Sequence, residues 1–264
     1  MERNGEQEEY EREVMETAMR AGRLLLGHGA EIFRVEETIY RICRHYGVHS
    51  CSAFVLSNGI FLTAGSKEEP GYSAVRHLPS WETRLDKVAA VNQLSREIEE
   101  KDYTLEEVNR RLDQIQAMPG RSGISQILAA GIACACFGFL FGGDWGVVLS
   151  DFLTGAILYI FVLTAGPSLS KITNNILSGA LITICCIAFY RIGLAGELRP
   201  LLMGAILPMV PGIPFTNGIR DLADGDYISG SVRMLDAILV FMSLGAGGGV
   251  AFLLYHYVLG GVML

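Results

Sequence analysis

The residues best equipped for chemistry lie between Leu198 and Arg233, in the stretch LRPLLMGAILPMVPGIPFTNGIRDLADGDYISGSVR. Pro208, Pro211 and Pro214 recur at every third position, with Gly204 and Gly212 among them. Each interior proline removes a backbone donor and clashes with the carbonyl four residues back, so the segment cannot be one regular helix. At membrane depth, non-helical backbone survives only where protein buries it or where it lines a wet cavity. Broken helices of that kind present carbonyls and helix ends to ions or anionic substrates. Thr216, Asn217, Arg220 and Asp221 follow directly, and on a helix Asn217, Arg220 and Asp221 share one face. An arginine fork beside a helix start suits a carboxylate ligand, with Thr216 and Asn217 as neutral hydrogen-bond partners and Asp221 orienting the guanidinium. A plainer reading stays open on local chemistry alone: the prolines end a span, and Arg220 and Asp221 pair at the interface.

Other candidates carry less. Asp151 and Asp236 are the remaining acidic residues inside apolar runs, which makes them candidate proton carriers. Each lies about a turn from an expected helix start, where a capping or helix-dipole role is the simpler reading. Asp224–Gly225–Asp226 reads as a turn and lacks the further ligands of a calcium loop. His28, Glu31, His45, His49 and His77 match no zinc-motif spacing and read as solvated positions, so no metal is expected. The six cysteines form neither a CxxC pair nor a disulfide framework, and Cys134, Cys136, Cys185 and Cys186 sit in apolar runs as small hydrophobes. Neither a nucleophile elbow nor a phosphate loop is present, and we expect no enzyme and no cofactor.

The elements that must position these residues follow from where the charge lies. Half of the 264 residues are apolar and 19% are charged, averages that a soluble domain can reach. The partition is decisive: residues 1–121 carry 21 acidic and 16 basic residues, residues 122–264 only 7 and 5. The second part is too poor in charge for an ordinary soluble domain and long enough for several bilayer spans of about 20 residues. Nucleic-acid binding is excluded, because it would need a basic stripe. The charged amino terminus, MERNGEQEEYEREVME, is not a secretory signal.

Residues 1–121 read as a cytoplasmic α+β domain, with helices flanking a small sheet. Tyr10, Val14, Ala18, Ala21 and Leu25 mark one helix, broken at Gly27 to Gly29. Ile32, Val35, Ile39, Ile42 and Tyr46 mark a second, closed by Gly47. Ser52–Ser57 and Ile60–Ala64 predict a hairpin turning at Asn58–Gly59, and a loop through Pro70–Gly71 leads to a third strand near Tyr72–Leu78. A third helix carries Leu85, Val88, Val91, Leu94 and Ile98, and a fourth starts at Thr104 with Glu107 as its capping-box partner. Residues 122–264 predict a bundle of five transmembrane helices near Ile124–Phe141, Val147–Ala165, Ile172–Tyr190, Leu198–Phe215 and Val232–Leu259, the fourth broken by its prolines. Arg121, Lys171, Arg220 and Arg233 fall on one side and Arg191 and Arg199 on the other, which favours a cytoplasmic amino terminus and an external carboxyl terminus. The spacings Gly138–Gly142 and Gly245–Gly249 read as faces of close helix packing.

Two stretches resemble the threonine/serine exporter family: GAEIFRVEETIYRI (Gly29 to Ile42) with the downstream SNGIFLTAG, and, more specifically, PMVPGIPFTNGIRDLADGDYISG (Pro208 to Gly230). The resemblance covers nearly the whole chain. Full-length members look like a cytoplasmic domain and ten spans in two halves, and this chain looks like the first half alone, as in split bacterial proteins whose second half is a small separate membrane subunit. The resemblance implies a multi-pass protein of the bacterial inner membrane that exports a small metabolite: threonine and serine for fused members, succinate for the split pair. It implies functional roles for Pro211, Gly212, Thr216, Asn217, Arg220, Asp221, Gly225 and Asp226, and a second membrane subunit as partner. Two other functions remain open: a membrane-anchored sensor or scaffold, and a homo-oligomeric channel packed through its glycine faces. Polar residues after a broken helix favour transport, since an anchor needs neither the prolines nor Arg220.

Overall fold

A computed structural model describes residues 2–65, 72–78 and 83–260. The expected loop through Pro70–Gly71 lies outside the described residues. The chain divides into two compact units: residues 1–119 with Ile213–Met234, and Gly120–Gly212 with Leu235–Leu264. The segment after the proline-rich stretch, placed by composition in the membrane part, therefore belongs to the same unit as the amino-terminal domain.

In the first unit, α1 (Glu2–Gly27) and α2 (Ile32–His45) are followed by β1 (Ser52–Leu56), β2 (Gly59–Thr63) and β3 (Ser73–His77), then α3 (Leu85–Lys101) and α4 (Leu105–Gln116). The sheet is an antiparallel meander in the order β1-β2-β3. Leu56 pairs with Gly59, so the hairpin loop is Ser57–Asn58 and Gly59 already belongs to β2, one residue earlier than the expected Asn58–Gly59 turn. Alternation along the strands sends Val55, Ile60 and Leu62 inward, against Val14, Ala18 and Leu25 of α1, Val35 and Ile39 of α2, Ile98 of α3 and Leu112 of α4. Tyr10 departs from its stripe and is exposed. Thr104 accepts from the Glu107 backbone N–H while Glu107 reaches back to the Thr104 N–H, a complete capping box for α4.

The second unit contains α5 (Gly123–Leu140), α6 (Trp145–Thr164), α7 (Lys171–Arg191) and α8 (Leu198–Ile206); α9 (Gly212–Ala223) and α10 (Tyr227–Leu259) run across the boundary between the units. Among the described residues, four helices are long and apolar enough to cross a membrane, or five if the bent pair α8–α9 makes one span. That pair is bent by 65°. The prolines explain where the break falls. Pro208 lies in a 3-10 turn at Leu207–Met209, Pro211 in the gap after it, and Pro214 in the first turn of α9, where its missing N–H costs nothing.

Helix packing in this unit uses glycines, but not at the expected spacing. A Cβ on Gly247 would overlap the Ile176 carbonyl oxygen, and one on Gly179 the Leu244 carbonyl oxygen, so α7 and α10 cross backbone to backbone there. Gly245 and Gly249 meet nothing within 4 Å. At about 100° per residue, Gly247 points away from Gly245, so the Gly245–Gly249 pair faces outward while the glycine between them packs. Gly142 likewise meets nothing within 4 Å; its φ of +88° marks the end of α5.

Candidate functional site

The two stretches singled out in the sequence meet in the first unit. The turn between α1 and α2 depends on Gly29, whose φ of +91° places it in the left-handed region that closes helix ends. The turn turns its carbonyls toward α9 and α10. Asn217 Nδ2 donates to the Gly29 oxygen at 3.1 Å, and Arg233 Nη2 donates to the Ala30 oxygen at 3.0 Å. One residue on, the Glu31 carboxylate pairs with Arg220 Nη1. Asp221 sits against the backbone N–H of Ile32, the positive end of α2. Three side chains of the second stretch, Asn217, Arg220 and Asp221, together with Arg233 three residues beyond it, thus hold four consecutive residues of the first, Gly29 to Ile32.

Asp221 is buried, and its charged partner is Arg233, at 3.4 Å, with side-chain exposures of 3% and 12%. Asp221 is therefore not the partner of the Arg220 guanidinium that its place in the sequence suggests. Adjacent helical residues point about 100° apart, so Asp221 turns inward to Arg233 while Arg220 turns outward to Glu31. The Arg220 side chain stays about half exposed (52%), and its guanidinium lies 5.2 Å from the centre of the Phe33 ring. Thr216 is exposed on the same helix, its hydroxyl donating to the Ile213 carbonyl at 3.1 Å.

The start of α10 is built by the turn expected at Asp224–Asp226. Gly225 takes a φ of +90°, and Asp226 Oδ1 caps α10 by accepting from the Ser229 backbone N–H at 3.1 Å. Close packing fixes α9 against α10: a Cβ on Gly230 would lie 2.8 Å from the Leu222 backbone nitrogen. Between this corner, α2 and β1 lies an open cleft of about 500 Å³, lined by Glu36, Asp221, Asp224 and Asp226 together with Phe33, Phe54 and Tyr227. Glu36 accepts from the Val55 backbone N–H at 3.3 Å. Burial pushes the Glu36 carboxyl above the usual carboxylate range, Asp226 adds to the push, and the Val55 N–H opposes it. The cleft is acidic and aromatic, which suits an ammonium group and repels a second carboxylate.

The remaining predicted residues lie elsewhere. Pro208, Pro211, Gly212 and Pro214 form the break itself. Asp236, half exposed, is held by Lys171 Nζ, 2.6 Å from both carboxylate oxygens. Asp151 is fully buried in α6. It caps nothing, because Asp144 is the α6 cap, its side chain accepting from the Val147 N–H at 2.8 Å. Among the described residues, no group of three or more His, Cys, Asp or Glu side chains is placed to hold a metal ion. Glu31 and Arg233 complete the site beyond the sequence expectation: Glu31 lies 189 positions from Arg220, and Arg233 reaches Asp221 from the next helix, so no local spacing marks either.

Several long apolar helices and a proline-broken pair whose far end is held by an α+β domain define a multi-helix membrane protein. The chain belongs to the threonine/serine exporter family: the profile of the family described as "Putative threonine/serine exporter" matches residues 16–255. The resemblance read from the two stretches is borne out at that level. Two relatives are each described as "Probable succinate transporter subunit YjjP". The one from Klebsiella aerogenes is 27% identical over 235 residues, 88% of this chain and 90% of its own length. The one from Escherichia coli K12 is 27% identical over 252 residues, 91% of this chain and 94% of its own. An uncharacterised protein of Haemophilus influenzae is 25% identical over 78% of this chain and 80% of its own length. No solved structure matches the chain significantly.

Proposed function

We propose that this chain is one subunit of a bacterial inner-membrane exporter that moves a small carboxylate-bearing metabolite outward together with a second, smaller membrane subunit of the same family. The observation that carries the reading is the family match along nearly the whole chain, at whose most specific stretch the half-exposed Arg220 lies against Phe33, a residue that lines the open cleft. Arg220 takes the substrate carboxylate, with Thr216 and Asn217 beside it. Glu31 holds the guanidinium until substrate replaces it, which is the pairing a carboxylate substrate would adopt. The acidic lining of the cleft favours an ammonium-bearing substrate such as threonine or serine over a dicarboxylate such as succinate. The relatives' description as subunits supports a partner.

The membrane crossing follows by parity. If the amino-terminal domain is cytoplasmic, α5 leaves from that side and α5, α6 and α7 end outside. Ile213–Met234 belongs to the same compact unit as that domain, which supports α8–α9 crossing back as one broken span with α10 crossing last. This supports five spans, and it argues against α8–α9 as a re-entrant loop. The basic residues Lys171, Arg220 and Arg233 on the inner side agree with it.

The test is flux from proteoliposomes loaded with threonine, serine or succinate, comparing this chain alone with this chain plus the candidate small subunit. Export should need both chains and should favour the amino acids. Full flux from this chain alone would remove the partner, and absence of flux from the pair for all three substrates would remove the exporter reading.

A further inference from the structure

Among the described residues, Asp151 is a carboxylic acid with no ion-pair partner. Its side chain is fully buried, and neither carboxyl oxygen has a hydrogen-bond partner. It lies in the second turn of α6, at a point where two other helices make room for it. A Cβ on Gly138 of α5 would strike Asp151 Oδ2, and a Cβ on Gly204 of α8 would strike the same oxygen. Gly204 is also pressed onto α5 directly, its built Cβ standing 2.5 Å from the Gly138 nitrogen. Two glycines on two helices therefore shape one pocket for one carboxyl. The titratable groups near it are two thiols, Cys134 on α5 and Cys186 on α7. From α8 it meets a glycine, and Arg199, the charged residue of that helix, is exposed in its first turn. By contrast Asp236, the other carboxylate of the apolar runs, is tied to Lys171.

We infer that Asp151 is a proton-binding site inside the membrane unit, holding its proton in this conformation and exchanging it with water when α8 moves away from Gly138. An ionised carboxylate without a partner in such a place is strongly disfavoured, whereas the neutral acid leaves one O–H to satisfy. The element covering the acid is also the one that ends in a break: α8 runs into the 3-10 turn and the gap at Val210–Pro211. Within the exporter reading, on which this use rests, the proton taken up by the carboxyl from outside is released inside while substrate moves out. The site itself does not depend on that reading.

A membrane-soluble carbodiimide tests the site directly, because it adds to protonated carboxyls in apolar surroundings: the acid proton passes to a carbodiimide nitrogen and the carboxyl oxygen bonds to its carbon. Mass spectrometry of the chain in native-lipid bilayers should find the adduct at Asp151, decreasing as pH rises and absent from Asp151→Asn. A water-soluble carbodiimide should spare Asp151 and modify surface carboxylates, and Asp236→Asn should leave the Asp151 adduct unchanged. No adduct at Asp151, or one indifferent to pH, overturns the proposal. In proteoliposomes containing both subunits, Asp151→Asn should lower export driven by a pH gradient about tenfold or more while substrate exchange continues. Gradient-driven export at the wild-type rate would overturn the coupling role. Absence of flux from the wild-type pair would count against the exporter reading and leave the labelling result to decide the proton site.

Discussion

Arg233→Ala is expected to lower the stability of the first unit by about 3–5 kcal/mol, the usual consequence of leaving a buried charge alone. Asp221 is 3% exposed, and Arg233 is its charged partner at 3.4 Å. The substitution also removes the donor to the Ala30 carbonyl, so the grip of α10 on the α1–α2 turn loosens. Limited proteolysis of membranes should show faster cleavage between α4 and α5, and the protein should accumulate poorly. The double variant Asp221→Asn/Arg233→Ala should recover part of the loss, since the lone buried carboxylate is then gone. Normal abundance and protease resistance in Arg233→Ala would mean that the pair contributes nothing to holding these elements together.

Gly204→Ala should be as damaging, for a different reason. The added methyl would lie 2.5 Å from the Gly138 nitrogen and 2.6 Å from its Cα, backbone atoms that cannot swing aside. Overpacking of a tight core costs about 1–3 kcal/mol and more where no side chain can yield. The helices α5 and α8 would have to separate, and with them the walls around Asp151. Gly249→Ala, on a face with nothing within 4 Å, is the control and should accumulate normally. The measurement is the amount of monodisperse protein extracted by mild detergent from equal amounts of membrane. Equal yields for the two variants would contradict the close crossing of α5 and α8.

Much of this arrangement is written in local sequence. The helical stripes of α1 to α4, the Thr104 capping box and the break between Met209 and Gly212 arise from residues a few positions apart, which is the range over which propensity, capping and proline sterics act. The site is only half legible. Arg220, Asn217 and Asp221 stand out because they follow a broken helix, yet their partners do not. Glu31 lies 189 positions from Arg220, and a tertiary ion pair at that distance leaves no periodic trace. Asp221 is adjacent to Arg220 in sequence, yet its partner is Arg233, twelve positions on and across the turn into the next helix, a pairing that no helical spacing marks. Gly245–Gly249 has the spacing of a packing face, but it is α7 that selects which side of α10 packs, and it selects Gly247. Asp151 looks like a helix-start residue until Asp144 is seen to do the capping.

In the proposed exporter Arg220 receives a substrate carboxylate, and the export rate of Arg220→Lys at matched membrane abundance tests that role. Lysine keeps the positive charge and can still pair with Glu31, so the hold between α9 and the α1–α2 turn survives. It cannot reproduce the planar fork that fits a carboxylate with two parallel hydrogen bonds. Losing one of the two hydrogen bonds to the charged carboxylate costs about 1.5–3 kcal/mol. Export of threonine or serine should therefore fall by about tenfold or more at subsaturating substrate, with protease resistance unchanged. Near-normal export in Arg220→Lys would contradict substrate binding by Arg220 and leave it a purely structural role, pairing with Glu31 at the turn between α1 and α2.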